Sequence, residues 1–105
     1  MTRYTVVYSA LAERDILQIL DYVENSLADV RAALNVARNI YAQCEALAIF
    51  PRVSPVRFRL NGMELRFAHA KKYTIIYYIK EDSKQVIIYM VVYSRRNIDN
   101  ILKSK

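Results

Sequence analysis

The spacing of apolar residues changes near residue 55. From residue 10 to that point it follows a helical period, and from there to residue 93 a strand period. The chain opens with Arg3-Tyr4-Thr5-Val6-Val7-Tyr8, a β-branched and aromatic run that predicts a first strand. Ser9 then suits a helix N-cap, where its hydroxyl accepts from an otherwise unpaired amide. Leu11, Ile16, Ile19, Leu20 and Val23 recur mostly three and four apart, which predicts an amphipathic helix over 10–25. Ser26, with Asp29 three positions on, predicts the start of a second helix through a capping-box-like pair. That helix is expected to bury Ala33, Ala37, Ile40, Cys44 and Leu47 and to stop near Phe50, since Pro51 cannot continue it. Joined so tightly, the two helices should form an antiparallel hairpin.

Beyond Pro55, Val56-Arg57-Phe58-Arg59-Leu60 alternates apolar and basic residues, as a half-exposed edge strand does. Asn61-Gly62 is a hairpin-turn signal leading into Met63–Ala68. Two tyrosine-rich strands follow, 73–79 and 86–93, separated by the charged turn at 80–85, and a short helix is expected over 97–103 with Ile98, Ile101 and Leu102 inward. The pattern predicts one α+β domain over 1–105: an N-terminal strand, a helical hairpin packed on a mostly antiparallel meander, and a short C-terminal helix.

Both tyrosine-rich strands are apolar on both faces. Strict alternation places Val86, Ile88, Met90 and Val92 on one face and Ile87, Tyr89, Val91 and Tyr93 on the other. One helical hairpin covers only one face of a sheet, so the second needs its own cover. The terminal helix or a homodimer would serve, and a separate protein partner is favoured, because the nine tyrosines combine apolar area with a polar tip.

Charge adds a direction to this. Residues 1–50 carry four Arg against six Asp/Glu, a balance of −2, whereas residues 51–105 carry a balance of +8. A basic second half attracts nucleic acid or an acidic protein. No apolar run approaches the ~20 residues that span a bilayer, so no membrane role is expected, and the lone Cys44 gives no disulfide. A soluble cytoplasmic protein is the expectation.

Several chemistries lack their residues. The sequence has no Gly-rich phosphate loop and no Cys/His metal spacing, so no metal or cofactor is expected. His69 is the one histidine and reads as structural or exposed; Glu64 and Asp99 have no visible partner to raise a carboxyl pKa; Cys44 reads as inert core. What remains is an arginine constellation: Arg66, Arg95 and Arg96, with Arg57 and Arg59 on the neighbouring edge strand. Guanidinium forks suit phosphate or carboxylate, so these five are the candidate target- or phosphate-binding residues. Metal-free RNA cleavage would also need a base and an acid, which only tyrosines, lysines or His69 could supply.

Order and spacing over some ninety residues resemble the toxins of the RelE/ParE superfamily. Thr5-Val6-Val7-Tyr8-Ser9 with Asp15-Ile16 and Asp21-Tyr22-Val23 is similar to the opening strand and first helix, and Ala32-Ala33 with Leu47 and Phe50-Pro51 to the second helix and its exit. Leu65-Arg66, Tyr73-Thr74-Ile75-Ile76-Tyr77 and Val92-Tyr93-Ser94-Arg95-Arg96 resemble the strand motifs. The resemblance implies the toxin of a type II toxin–antitoxin system, with a cognate antitoxin that would contact Tyr77, Tyr78, Tyr89 and Tyr93. RelE-type members resemble ribosome-dependent ribonucleases acting on mRNA, for which Arg66, Arg95, Arg96 and Tyr93 would be the catalytic candidates. The tail after Arg96 has no aromatic residue or His, and Tyr93 stands where many members carry His. The long helical hairpin and the absent tail acid favour the ParE branch, whose members are DNA gyrase inhibitors without a catalytic site. A non-catalytic binding domain with an altered target is the third alternative.

Overall fold

A computed structural model describes residues 3–105. Strand β1 (Thr5–Tyr8) runs directly into helix α1 (Ala10–Leu27) through Ser9. The Ser9 hydroxyl does two jobs. It accepts from the Ala12 amide at 3.0 Å, the expected N-cap, and donates to the Tyr89 carbonyl at 2.8 Å. The helix ends on Ala28, which takes a left-handed conformation at φ 50°. Helix α2 (Val30–Ala46) then starts on Asp29, whose carboxylate accepts from the Arg31 and Ala32 amides. The expected start at Ser26 is corrected: Ser26 lies within the last turn of α1, and Asp29 alone caps the second helix. The helix also stops earlier than Phe50, because the chain leaves Ala46 through turns at 47–49.

Strands β2 (Val56–Leu60), β3 (Met63–Ala70), β4 (Tyr73–Lys80) and β5 (Gln85–Tyr93) form an antiparallel meander. Both residues of the β2–β3 turn have positive φ, Asn61 at 49° and Gly62 at 82°, the geometry that Asn-Gly favours. The sheet order is β1-β5-β4-β3-β2, with β1 parallel to β5. Because β1 is short, it covers only the first half of β5. Beyond it the ladder is continued by Ser9, whose amide donates to Ile88, and by the Asp15 carboxylate, which accepts from the Val91 amide at 3.0 Å. A helix side chain thus covers a strand edge that would otherwise stay open.

The helical hairpin covers one face, where Ile16, Ile40, Cys44 and Leu47 pack on Ile75, Tyr77 and Ile88. Val23 is buried outside this cluster, and Ala37 is only half-buried. On the opposite face Leu65, Phe67, Ile76, Met90 and Val92 pack on Leu102 of helix α3 (Ile98–Lys103). Two expectations are corrected here. Tyr77 pairs with Ile88 while Ile76 pairs with Met90, so Tyr89 is the extra residue of a β-bulge and the alternation changes phase there. Val86 and Ile88 therefore share a face with Val91, and Met90 and Val92 lie on the other. The second face is covered by the chain's own terminal helix, with Leu102 fully buried, where a separate partner had been favoured.

Candidate functional site

The strand register brings the β3–β4 turn and the end of β5 to the same end of the sheet. Ala70 pairs with Tyr73, which pairs in turn with Tyr93, and the Ser94 amide donates to the Lys72 carbonyl at 2.8 Å. Lys71 and Lys72 therefore stand beside Arg95 and Arg96, all four exposed. The lysines were missed in the sequence reading. The signal for them was the hairpin itself, since a two-residue turn before Tyr73 must end next to the strand that pairs with it.

Between this basic end and the helices lies a groove of about 750 Å³. Ile19, Tyr22 and Leu27 of α1 form one wall and Val36 of α2 another, with Tyr73 and Tyr93 at the base. Small residues at Ala32 and Ala70 leave the space open, and Lys71, Lys72 and Arg96 line its basic part. Tyr22 and Leu27 are 69% and 63% exposed, so the wall offers apolar area to a partner. Tyr93 meets Tyr73 edge-on at 5.9 Å between centroids.

The five candidate arginines do not converge. Arg66 pairs with Tyr77, four residues from Ala70, and so sits about 13 Å along the strand from the basic end. It is half-buried, and its guanidinium donates to the Ser54 carbonyl. Tyr77 beside it is fully buried and donates to the Pro51 carbonyl at 2.7 Å. Together they hold the 51–54 loop against the sheet. Tyr77 is therefore no surface residue, which corrects its place among the partner-contacting tyrosines. Arg57 lies 5.2 Å over the Phe67 ring, and Arg59 is paired with Glu64 at 3.1 Å on the exposed edge strand. Tyr78 and Tyr89 are half-buried on the face of α3 and meet edge-on at 6.5 Å. Of the expected residues, the structure gathers Tyr93, Arg95 and Arg96.

His69 has an exposed side chain whose Nδ1 lies 3.2 Å from the Thr74 hydroxyl, and Thr74 in turn meets the Ser94 hydroxyl at 2.8 Å. Cys44 is buried, and burial pushes its thiol up to about 12, so it stays protonated. Burial also raises the Asp15 carboxyl, a rise opposed by the Val91 amide and by Lys105, Arg14 and Arg96. Asp99 is exposed in the first turn of α3. Among the described residues no three His, Cys, Asp or Glu side chains are grouped to hold a metal, and no helix is long and apolar enough to cross a membrane.

The sequence profile described as the ParE toxin of type II toxin-antitoxin system, parDE, matches residues 6–98. The chain belongs to the ParE toxin family. Its fold is similar to a structure of a chromosomal ParDE toxin–antitoxin system from P. aeruginosa, with a TM-score of 0.71 at 16% identity, over 89% of this chain and 98% of that one. It is also similar to the RelBE2 toxin–antitoxin complex from Mycobacterium tuberculosis, with a TM-score of 0.61 at 21% identity, over 89% of this chain and 93% of that one. No curated protein matches it in sequence. As a ParE-family toxin the chain thus has two exposed features to account for: a basic sheet end and the apolar groove beside it.

Proposed function

We propose that this toxin acts by inhibiting DNA gyrase and is neutralised by a cognate antitoxin. The observation that carries the first half is the position of Arg66. A metal-free ribonuclease needs its phosphate-stabilising cations, its base and its acid around one phosphate. Here Arg66 is held to the Ser54 carbonyl, about 13 Å along the sheet from the end that carries Arg95 and Arg96. What is left at the basic end can bind an anionic surface without any cleavage step. Family membership supports the same branch.

For the antitoxin, the groove supplies the reason. Its apolar wall and basic rim suit an acidic, amphipathic segment that orders on binding. Two solved structures similar to this chain are of toxin–antitoxin systems. Tyr93 and Tyr22 would be in contact with such a segment, and Tyr78 and Tyr89 would be reached only if it continues past α3.

A ribonuclease is the second reading, favoured by the clustering of Tyr93, Arg95 and Lys72 around one cleft. Purified toxin tested on gyrase supercoiling and, separately, on mRNA in translating ribosomes decides between them. Blocked supercoiling with intact mRNA is expected. Codon-specific cleavage in the ribosomal A site would reject the gyrase assignment.

A further inference from the structure

The helical hairpin turns an apolar seam toward solvent. Leu17 and Leu27 of α1 and Val30, Leu34 and Tyr41 of α2 are 42–67% exposed. Two contacts place them along the line where the helices meet. Tyr41 meets Tyr8 edge-on at 5.5 Å, just before α1 begins, so its side of α2 faces α1. Val30 and Leu34 share that side by helical spacing. Asp15 reaches the Val91 amide from the far side of α1, which leaves Leu17 and Glu24 on the side toward α2. The link at 28–29 sets Leu27 level with Val30 and, further along, Leu17 level with Tyr41. The groove proposed for the antitoxin lies between the hairpin and the sheet, and only Leu27 belongs to both.

Charge decides what covers the seam. Between Leu17 and Leu27, α1 carries Asp21 and Glu24 and no base; between Val30 and Tyr41, α2 carries Arg31 and Arg38 and no acid. All four are exposed, and among the described residues none of them is in an ion pair. Near the start of α1, Glu13 and Arg14 give both signs, and Glu45 is held by Tyr8, so that end decides nothing. We propose that the seam is covered by a second copy of this chain, in a closed contact about a two-fold axis parallel to the helices. Helix α1 then lies on α2 of the partner subunit, and the two hairpins make a four-helix bundle. Leu17 meets Tyr41 of the partner subunit. Glu24 faces Arg31 of the partner subunit and Asp21 faces Arg38 of the partner subunit, each twice by symmetry. An axis across the helices would instead lay α1 on α1, with acid against acid and base against base, which is repulsive. Tyr41 is already held by Tyr8, so fixing its ring costs little further entropy. Helices about 25 Å long and about 10 Å wide give a face of about 500 Å². That is small for a stable complex, and a dissociation constant on the order of 10 µM is expected.

The contact does not depend on the toxin's target, and the test uses the full chain alone. Sedimentation equilibrium from about 1 to 300 µM is the measurement. The mass should rise from 12.3 kDa toward twice that value. Leu34→Glu changes an exposed side chain, so the melting curve should stay native while the dimer weakens about thirty-fold or more. Glu24→Lys and Arg31→Glu should each weaken self-association about three-fold or more, because each sets like charges together at two places. Mixed in equal amounts, these two variants should form a heterodimer near the strength of the unmodified chain, since every facing pair is again opposite in sign. A chain still monomeric at the top of the concentration range would overturn the dimer and leave the face to a different protein. Self-association that Leu34→Glu leaves unchanged would overturn this face as its site. A mixture no stronger than either variant alone would overturn the α1-on-α2 arrangement, and a mass above two copies would overturn the closed contact.

Discussion

Replacing Tyr77 by Phe removes one oxygen, yet it leaves the Pro51 carbonyl without its donor beneath the helix exit. A cost of about 1–3 kcal/mol in urea unfolding is expected, with no change in the slope. Ile88, fully buried against the hairpin, should cost about 2–5 kcal/mol as Ile88→Ala, according to how far the core collapses. Ala28 works in the opposite direction. Its left-handed φ of 50° suits glycine, so Ala28→Gly should stabilise by about 0.5–1 kcal/mol, read as a higher urea midpoint. Single residues were also where the sequence was clearest. Ser9 and Asn61-Gly62 stood out because capping and a positive-φ turn are local requirements, met by few residue types. Arg66 was not legible in this way. Its side chain looked like a ligand for phosphate, and only the fold of the 51–54 loop made it a donor to a carbonyl.

Among the elements, the β4–β5 turn is tied to the exit of α2 by Glu81. Its carboxylate takes Tyr4 at 2.8 Å and Arg52 at 2.6 Å, and Lys84 joins it. Hydrogen bonds from Arg52, Lys84 and Tyr4 hold this carboxyl down at about 2. A depressed carboxyl stabilises the fold above its unfolded pKa of about 4.3, and that contribution is lost as pH falls toward 2. The melting temperature should therefore drop between about pH 5 and pH 2, less steeply in Glu81→Gln. Glu81 is exposed, so the effect should be modest and shrink with salt.

The bulge at Tyr89 is an element-scale feature that periodicity did not reveal. When both faces of a strand are apolar, a change of phase leaves no mark on the hydrophobic pattern. The same two-sidedness made the second sheet face look as if it awaited a partner. Helix α3 was legible as a helix, but its docking on that face was not, because six residues with three apolar ones fit many surfaces. Leu102→Ala should cost about 2–5 kcal/mol and expose the face to a hydrophobic dye.

For the molecule as a whole, the groove and the basic end predict how a partner behaves. Lys71→Glu, on the basic rim, should slow association with an acidic antitoxin, and the slowing should fade as salt rises. Leu27→Ser on the apolar wall should instead speed dissociation, with little dependence on salt. Stopped-flow measurements at two salt concentrations separate the two effects.

The α+β architecture was fixed by sequence alone, since helical and strand periods, caps and turns are encoded within a few residues of one another. Membership of the toxin family was also visible there, in the order of short motifs over most of the chain. The site was a different matter. Arg57, Arg59, Arg66, Arg95 and Arg96 are equally arginine in a sequence, and charge does not report distance. Strand register brought Lys71 and Lys72 to Arg95 and Arg96, placed Arg66 about 13 Å along the sheet, and joined His69 to Ser94 through a buried threonine. Those are contacts between strands, set by how the meander pairs, and only the tertiary structure decides them.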